Sequence, residues 1–134
     1  MDHDELIARA RDVMERAYAP YSGFRVGAAL LGEDGSVHTG CNVENASYGL
    51  TVCAERAAIA NAVARGVRRF RAVAIAASGS DAVPPCGACR QVLAEFSPSM
   101  TILSVGGHEW RQWTLDQLLP EPFEPRSRPA GEGT

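Results

Sequence analysis

The sequence predicts an α/β domain of three layers, with helices on both sides of a mixed, roughly five-stranded sheet. Three observations carry that prediction. Segments of helical and strand period follow one another in the order α-β-β-α-β-α-β-β-α. Residues 70–77 are apolar almost without a break, the mark of a strand covered on both faces. A chain of 134 residues, 46% hydrophobic and 22% charged, suits a single domain that can bury its own core.

The first helix rests on Leu6, Ile7, Ala10, Val13, Met14, Ala17 and Tyr18, which recur at three and four over 4–18. Asp2 or Asp4 can cap it, and Pro20 lies beyond its end. Strands at 24–31 and 36–43 flank Asp34-Gly35, a hairpin signal. Thr51 can cap a second helix over 52–65, closed by Gly66. That helix is alanine-rich on nearly every face, so it packs either centrally or against partner chains. The strand 70–77 follows, then a loop at 78–83. A third helix runs from Cys86 or Gly87 to Phe96, with Val92, Leu93 and Phe96 inward. Met100 to Val105 is a fourth strand, and Gly106-Gly107 turns toward a short strand at 109–113. Thr114 and Gln117 fit a capping box for a last short helix, stopped by Pro120. One domain over 1–123 and a flexible tail over 124–134 are expected, since the tail is rich in Pro, Gly, Glu and Arg.

Composition removes several functions. Lysine is absent and all 13 basic residues are arginine, so no Schiff base and no Walker-type phosphate loop can form. A net charge of −3 argues against a nucleic-acid track, and the run Arg65, Arg68, Arg69, Arg71 reads as a solvated helix end and strand start. No apolar stretch suits a membrane, and the acidic first residues lack the order of a signal peptide, which makes the cytoplasm the expected location. His3, His38 and His108 have no metal-ligand spacing and read as surface or strand residues.

The chemistry lies in the cysteines. Cys86-Gly87-Ala88-Cys89 at a helix start puts two sulfurs on one face, within reach of one metal, although a redox pair uses the same spacing. The redox reading places such a motif after the first strand of a βαβ unit, whereas this one comes late and has a cysteine of matching context upstream. That cysteine, Cys53, also starts a helix, and the three sulfurs would leave a fourth tetrahedral position open for water. The helix termini and the metal both favour thiolate. Glu55 follows two residues after Cys53, placed for general acid/base work rather than mere dipole compensation. Alternation along 36–44 turns Cys41 and Val43 one way and Asn42 and Glu44 the other, so Cys41 is expected to face the core and not the metal.

These blocks together resemble a known family. GCNVENASYG at 40–49, CAER at 53–56 and PCGACRQ at 85–91 are similar to the short, homotetrameric cytidine deaminases, as are YAPYSGFRVGAAL at 18–30 and Leu118-Leu119-Pro120 with Phe123. The match spans nearly the whole chain in order. Gly23 and Pro84 depart from it, standing where the family more often carries a polar or basic residue and a serine. The resemblance implies the cytidine-deaminase fold, one Zn²⁺ per subunit on Cys53, Cys86 and Cys89, and hydrolytic deamination of cytidine and 2′-deoxycytidine. It implies that Glu55 moves the proton and that Arg56 donates to the ligand thiolates. Substrate contacts follow for Phe24 against the base, Asn42 and Glu44 at the ribose 3′-hydroxyl, Val43, and the Ala54 N–H at the pyrimidine O2. Ala46, Tyr48 and Phe123 are expected to reach a neighbouring subunit's site. A nucleoside substrate and a homotetramer are therefore the expected partners, with neither nucleic acid nor membrane. Two alternatives stay open: deamination of another aminopyrimidine nucleoside, such as an antibiotic, and a non-catalytic module whose four cysteines close a structural zinc site.

Overall fold

The computed structural model describes residues 1–125. The expected tail at 124–134 therefore lies, from 126 onward, outside the described residues. Helix α1 is His3–Met14, followed by β1 (Val26–Gly32), β2 (Val37–Cys41), a 3₁₀ turn (Tyr48–Leu50), α2 (Ala54–Ala64), β3 (Phe70–Ala77), α3 (Gly87–Phe96), β4 (Thr101–Val105), β5 (Trp110–Thr114) and α4 (Leu115–Leu118). The five strands form one mixed sheet in the order β2-β1-β3-β4-β5. The predicted three layers are present. Among the described residues no helix is long and apolar enough to cross a membrane.

Side-chain alternation divides the core into two halves. Ala28, Leu30, Val73, Ile75 and Ile102 face α2, α3 and α4, while Ala29, Leu31, Ala72, Ala74, Ala76 and Leu103 face α1. Burial of these faces is the main stabilising term, because it removes the apolar surface of both sheet faces and the facing helices from water. In β3 only Arg71 is exposed, as a strand packed on both faces requires. Two glycines set how closely the helices lie. A Cβ at Gly27 would stand 2.2 Å from the Ala10 carbonyl of α1, and one at Gly40 would stand 2.4 Å from the Ala58 nitrogen of α2.

Strand directions place the helix starts. Both β2 and β3 run antiparallel to β1, hence parallel to each other, and β4 is parallel to β3. The connections β2-α2-β3 and β3-α3-β4 therefore each leave the carboxyl end of a parallel strand. Helices α2 and α3 begin at the same end of the sheet, which is where open α/β sheets bind ligands.

Several boundaries differ from the sequence expectation, β1 beginning at Val26 rather than at 24. Helix α1 stops at Met14 rather than Tyr18, because Tyr18 pairs with Val43: its N–H donates to the Asn42 carbonyl at 3.0 Å and its carbonyl accepts from Glu44 at 2.9 Å. Helix α2 starts after Cys53, not Thr51, because Val52 pairs antiparallel with Val43 and is still extended. The strand β2 ends at Cys41, so Asn42 and Glu44 lie just past it. Asp2 caps α1, the hairpin turns at Gly35 with φ of 87°, and the Thr114–Gln117 capping box is formed.

Gly40→Ala must push the first turns of α2 off β2, since the obstacle is backbone. Overpacking of this kind costs about 1–3 kcal/mol. Thermal unfolding should show a lower melting temperature, whereas Gly35→Asn, at a position with nothing within 4 Å of a Cβ, should be much milder.

Candidate active site

Cys53 is the N-cap of α2, and Cys86 is the N-cap of α3. Cys89 lies in the first turn of α3, completely buried. Their three sulfurs fall within 4.8 Å of one another, and those of Cys86 and Cys89 are 3.4 Å apart. Sulfurs bound tetrahedrally to zinc at about 2.3 Å are separated by about 3.8 Å. The donor set, its spacing and its place at two positive helix termini all fit a zinc ion. Neither Cys53 nor Cys86 caps its helix with its side chain, so both sulfurs are free for this purpose. Cys41 is half-buried at the end of β2 rather than in the core, and it stays outside the trio. The closed four-cysteine site is not formed.

The thiols are electrostatically unequal. A hydrogen bond from the Cys89 thiol, with a further one from Arg56, pulls Cys53 down to about 5 against the opposing effect of burial. The same contact with Cys53, together with burial, pushes Cys89 above the ordinary thiol range. Arg56 donates from Nη2 to the Thr51 carbonyl at 3.2 Å and to Cys53 Sγ at 3.8 Å. Its Nε is buried with no partner among the described residues. Arg56 thus contacts a sulfur of the trio.

Glu55 sits in the first turn of α2, 6% exposed, beside Cys53 and Cys89. Burial raises its carboxyl above the ordinary range, with the nearby Cys53 charge adding to the effect. A carboxyl held in this way takes up a proton more readily than an exposed one and can hand it on. The Ala54 N–H is one of the first-turn donors of α2, and no side chain caps it.

A cleft of about 380 Å³ adjoins this corner, lined by Tyr21, Ser22, Glu44, Tyr48 and Thr51. It meets the cysteines through Thr51, whose carbonyl Arg56 holds. Glu44 Oε1 accepts from the N–H groups of Tyr21 at 3.0 Å and Ser22 at 3.1 Å, and Oε2 accepts from the Ser22 hydroxyl. The Ser22 hydroxyl, then the main-chain donors, keep this carboxyl below its ordinary range. Asn42 has a role that alternation could not reveal. Its Oδ1 accepts from the Val26 N–H at 2.9 Å, and its Nδ2 donates to the Phe24 carbonyl at 2.9 Å. The side chain therefore ties the start of β1 to the end of β2, with one amide hydrogen left over. A larger hollow, about 440 Å³ between 69–71 and 96–100, lies at the opposite end of α3 and holds no thiol.

Other predicted contacts are not assembled within one chain. Tyr48 and Phe123 are 76% and 79% exposed, Val43 is 45% exposed, and Ala46 is exposed. The Phe24 ring is 38% exposed. The sequence reading missed Gln91, which clasps Phe123 from both sides: Nε2 donates to its carbonyl at 2.9 Å and Oε1 accepts from its N–H at 3.0 Å. It also missed Arg90, which donates to the carbonyls of Pro85 at 2.7 Å and Leu118 at 3.0 Å. Both directly follow Cys89, and only that adjacency could have flagged them.

Comparison with known proteins agrees with this geometry. A family model described as the cytidine and deoxycytidylate deaminase zinc-binding region matches residues 1–105. The cytidine deaminase of Sporosarcina psychrophila is 48% identical over 126 residues, with 92% of each chain covered. That of Mycobacterium tuberculosis is 44% identical over 123 residues, covering 92% of this chain and 90% of the other. Among solved structures, cytidine deaminase from Burkholderia pseudomallei superposes with a TM-score of 0.88 at 46% identity, covering 92% of this chain and all of that one.

Ser substitution of Cys53, Cys86 or Cys89 should drop bound metal well below one ion per chain, while Cys41→Ser should leave it unchanged, as metal analysis of the purified proteins will show. In the metal-free protein, ultraviolet thiolate absorbance should show a first step near pH 5. Arg56→Gln removes a donor that favours the Cys53 anion, so this step should move to higher pH.

Proposed function

Because the chain belongs to the cytidine and deoxycytidylate deaminase zinc-binding family, we propose that it hydrolyses the exocyclic amine of cytidine and 2′-deoxycytidine, giving uridine or 2′-deoxyuridine and ammonia. One observation carries the reading: three cysteine sulfurs from two helix starts meet at one point, with a single buried carboxylate, Glu55, beside them. A structural zinc site has no use for that carboxylate.

Cys53, Cys86 and Cys89 hold one zinc ion per chain, with Arg56 offsetting the excess thiolate charge. When bound, zinc supplies the Lewis acidity that makes water a nucleophile at neutral pH. Glu55 takes a proton from the attacking water and delivers it to ring N3, then takes the remaining hydroxyl proton at C4 as the carbonyl forms and gives it to the departing amine. Its burial keeps bulk water from competing for that proton. The free Ala54 N–H donates to the pyrimidine O2, and the exposed Phe24 ring packs against the base. Glu44 has one acceptor position left on Oε2 for the ribose 3′-hydroxyl, and Asn42 has its spare amide hydrogen for the same group. Val43, 45% exposed between them, adjoins the sugar. A carboxylate at this position repels a phosphate, which favours a nucleoside over a nucleotide or polynucleotide.

Assembly into a homotetramer completes the site. Ala46, Tyr48 and Phe123 of one subunit contact the substrate of its neighbour. Supporting this, Tyr48, Leu50 and Phe123 are all more than 60% exposed, and the outer face of α2 presents Ala60, Val63 and Ala64. The enzyme works in the cytoplasm, in pyrimidine salvage.

The zinc-loaded protein should release ammonia from cytidine, and prolonged chelation should abolish this. Glu55→Gln should lower kcat by about 10²–10⁴ while keeping the metal. Turnover that survives this substitution overturns the mechanism.

A further inference from the structure

A single hydroxyl links the Glu44 carboxylate to the Phe24 main chain. Ser22 Oγ donates to Glu44 Oε2 and accepts from the Phe24 N–H at 3.0 Å. The carbonyl of the same Phe24 accepts from Asn42 Nδ2 at 2.9 Å, so the Phe24 main chain is held from both sides. Gly23, with φ of 69° and nothing within 4 Å of a Cβ, supplies the left-handed turn that brings the Ser22 side chain back onto the Phe24 N–H. Ser22, Phe24, Asn42 and Glu44 thus form one hydrogen-bonded unit.

We infer that Ser22 is the positioning residue that sets sugar specificity, holding Glu44 Oε2 at a fixed offset from the Phe24 ring so that its last acceptor position meets the 3′-hydroxyl of a base already packed on that ring. This rests on the reading of Glu44 and Phe24 given above. The physical argument is one of preorganisation. A glutamate has three rotatable torsions, and the N–H groups of Tyr21 and Ser22 restrain only Oε1. Without the Ser22 hydroxyl, Oε2 swings and hydrates freely, and the substrate must order it on binding. Because the hydroxyl also orders the Phe24 N–H, distance from ring to carboxylate becomes a fixed property of the site. A substrate with nothing to offer Oε2 gains nothing from that order.

The experiment compares cytidine with 3′-deoxycytidine as substrates of the zinc-loaded wild type, Ser22→Ala, Ser22→Thr and Glu44→Gln. With cytidine, Ser22→Ala should lose about ten-fold in kcat/KM, mostly through KM, the scale of one charge-assisted hydrogen bond. With 3′-deoxycytidine the same variant should stay within about two-fold of wild type, since the coupled group is absent. Ser22→Thr keeps the hydroxyl and should restore cytidine turnover. The ratio of the two substrates does not depend on the folded fraction, so an unstable variant still reports. Equal loss on both substrates, or no loss on cytidine, overturns the role of Ser22 when Glu44→Gln loses more on cytidine than on 3′-deoxycytidine. A Glu44→Gln enzyme that loses kcat/KM equally on both substrates overturns the sugar reading, and this inference with it.

Discussion

Convergence of two helix starts on one point is the constraint to which the rest of the structure answers. Thiolates repel one another, and each also resists leaving water, so a cluster of three needs a fixed frame. The sheet supplies that frame by running β2, β3 and β4 in parallel, which sends α2 and α3 off from the same edge. Helix α2 can then approach β2 closely enough for its backbone to touch only because position 40 lacks a side chain. The positive ends of both helices and the Arg56 guanidinium make up part of the electrostatic cost. Burial of Glu55 arises from the same convergence, since the first turn of α2 is pressed into the angle between the sheet and α3.

How much of this was legible in the sequence depended on how local the deciding interaction is. Strand β3 and helix α3 were readable to within a residue, because their apolar patterns and their Gly and Pro boundaries act on the segment itself. The capping box at Thr114 was readable for the same reason. The stretch from 42 to 52 was not. There Val43 pairs with Tyr18 on one side and with Val52 on the other, contacts across 25 and 9 residues that no window of period 2 or 3.6 contains. Those pairings end α1 early, delay α2, and leave room for the unpredicted 3₁₀ turn at Tyr48–Leu50.

The candidate site shows the same division. Cysteine spacing and the adjacent carboxylate announce the metal corner, since helix geometry alone carries them to one face. Asn42 was assigned to the sugar on resemblance, yet in the fold it first joins two backbones, an arrangement that depends on the register of Val26 against its neighbours. Buried amides often serve structure and recognition together, because satisfying a strand edge leaves one hydrogen over. Tyr48 and Phe123 stand out in the fold only as exposed aromatics, which no local pattern ties to the metal corner.

Arg90 and Gln91, consecutive on α3, grip the chain at Leu118 and again at Phe123. Leu119, Pro120, Glu121 and Pro122 bridge the interval, and the two prolines stiffen it. This span therefore works as a gauge: its length, counted in whole residues, decides how far the Phe123 ring projects from the helix that carries Cys89. Lengthening or shortening it moves the ring in steps of a peptide unit, about 3.5 Å, with no intermediate setting. Tolerance to insertion and deletion in this stretch is accordingly a matter of reach.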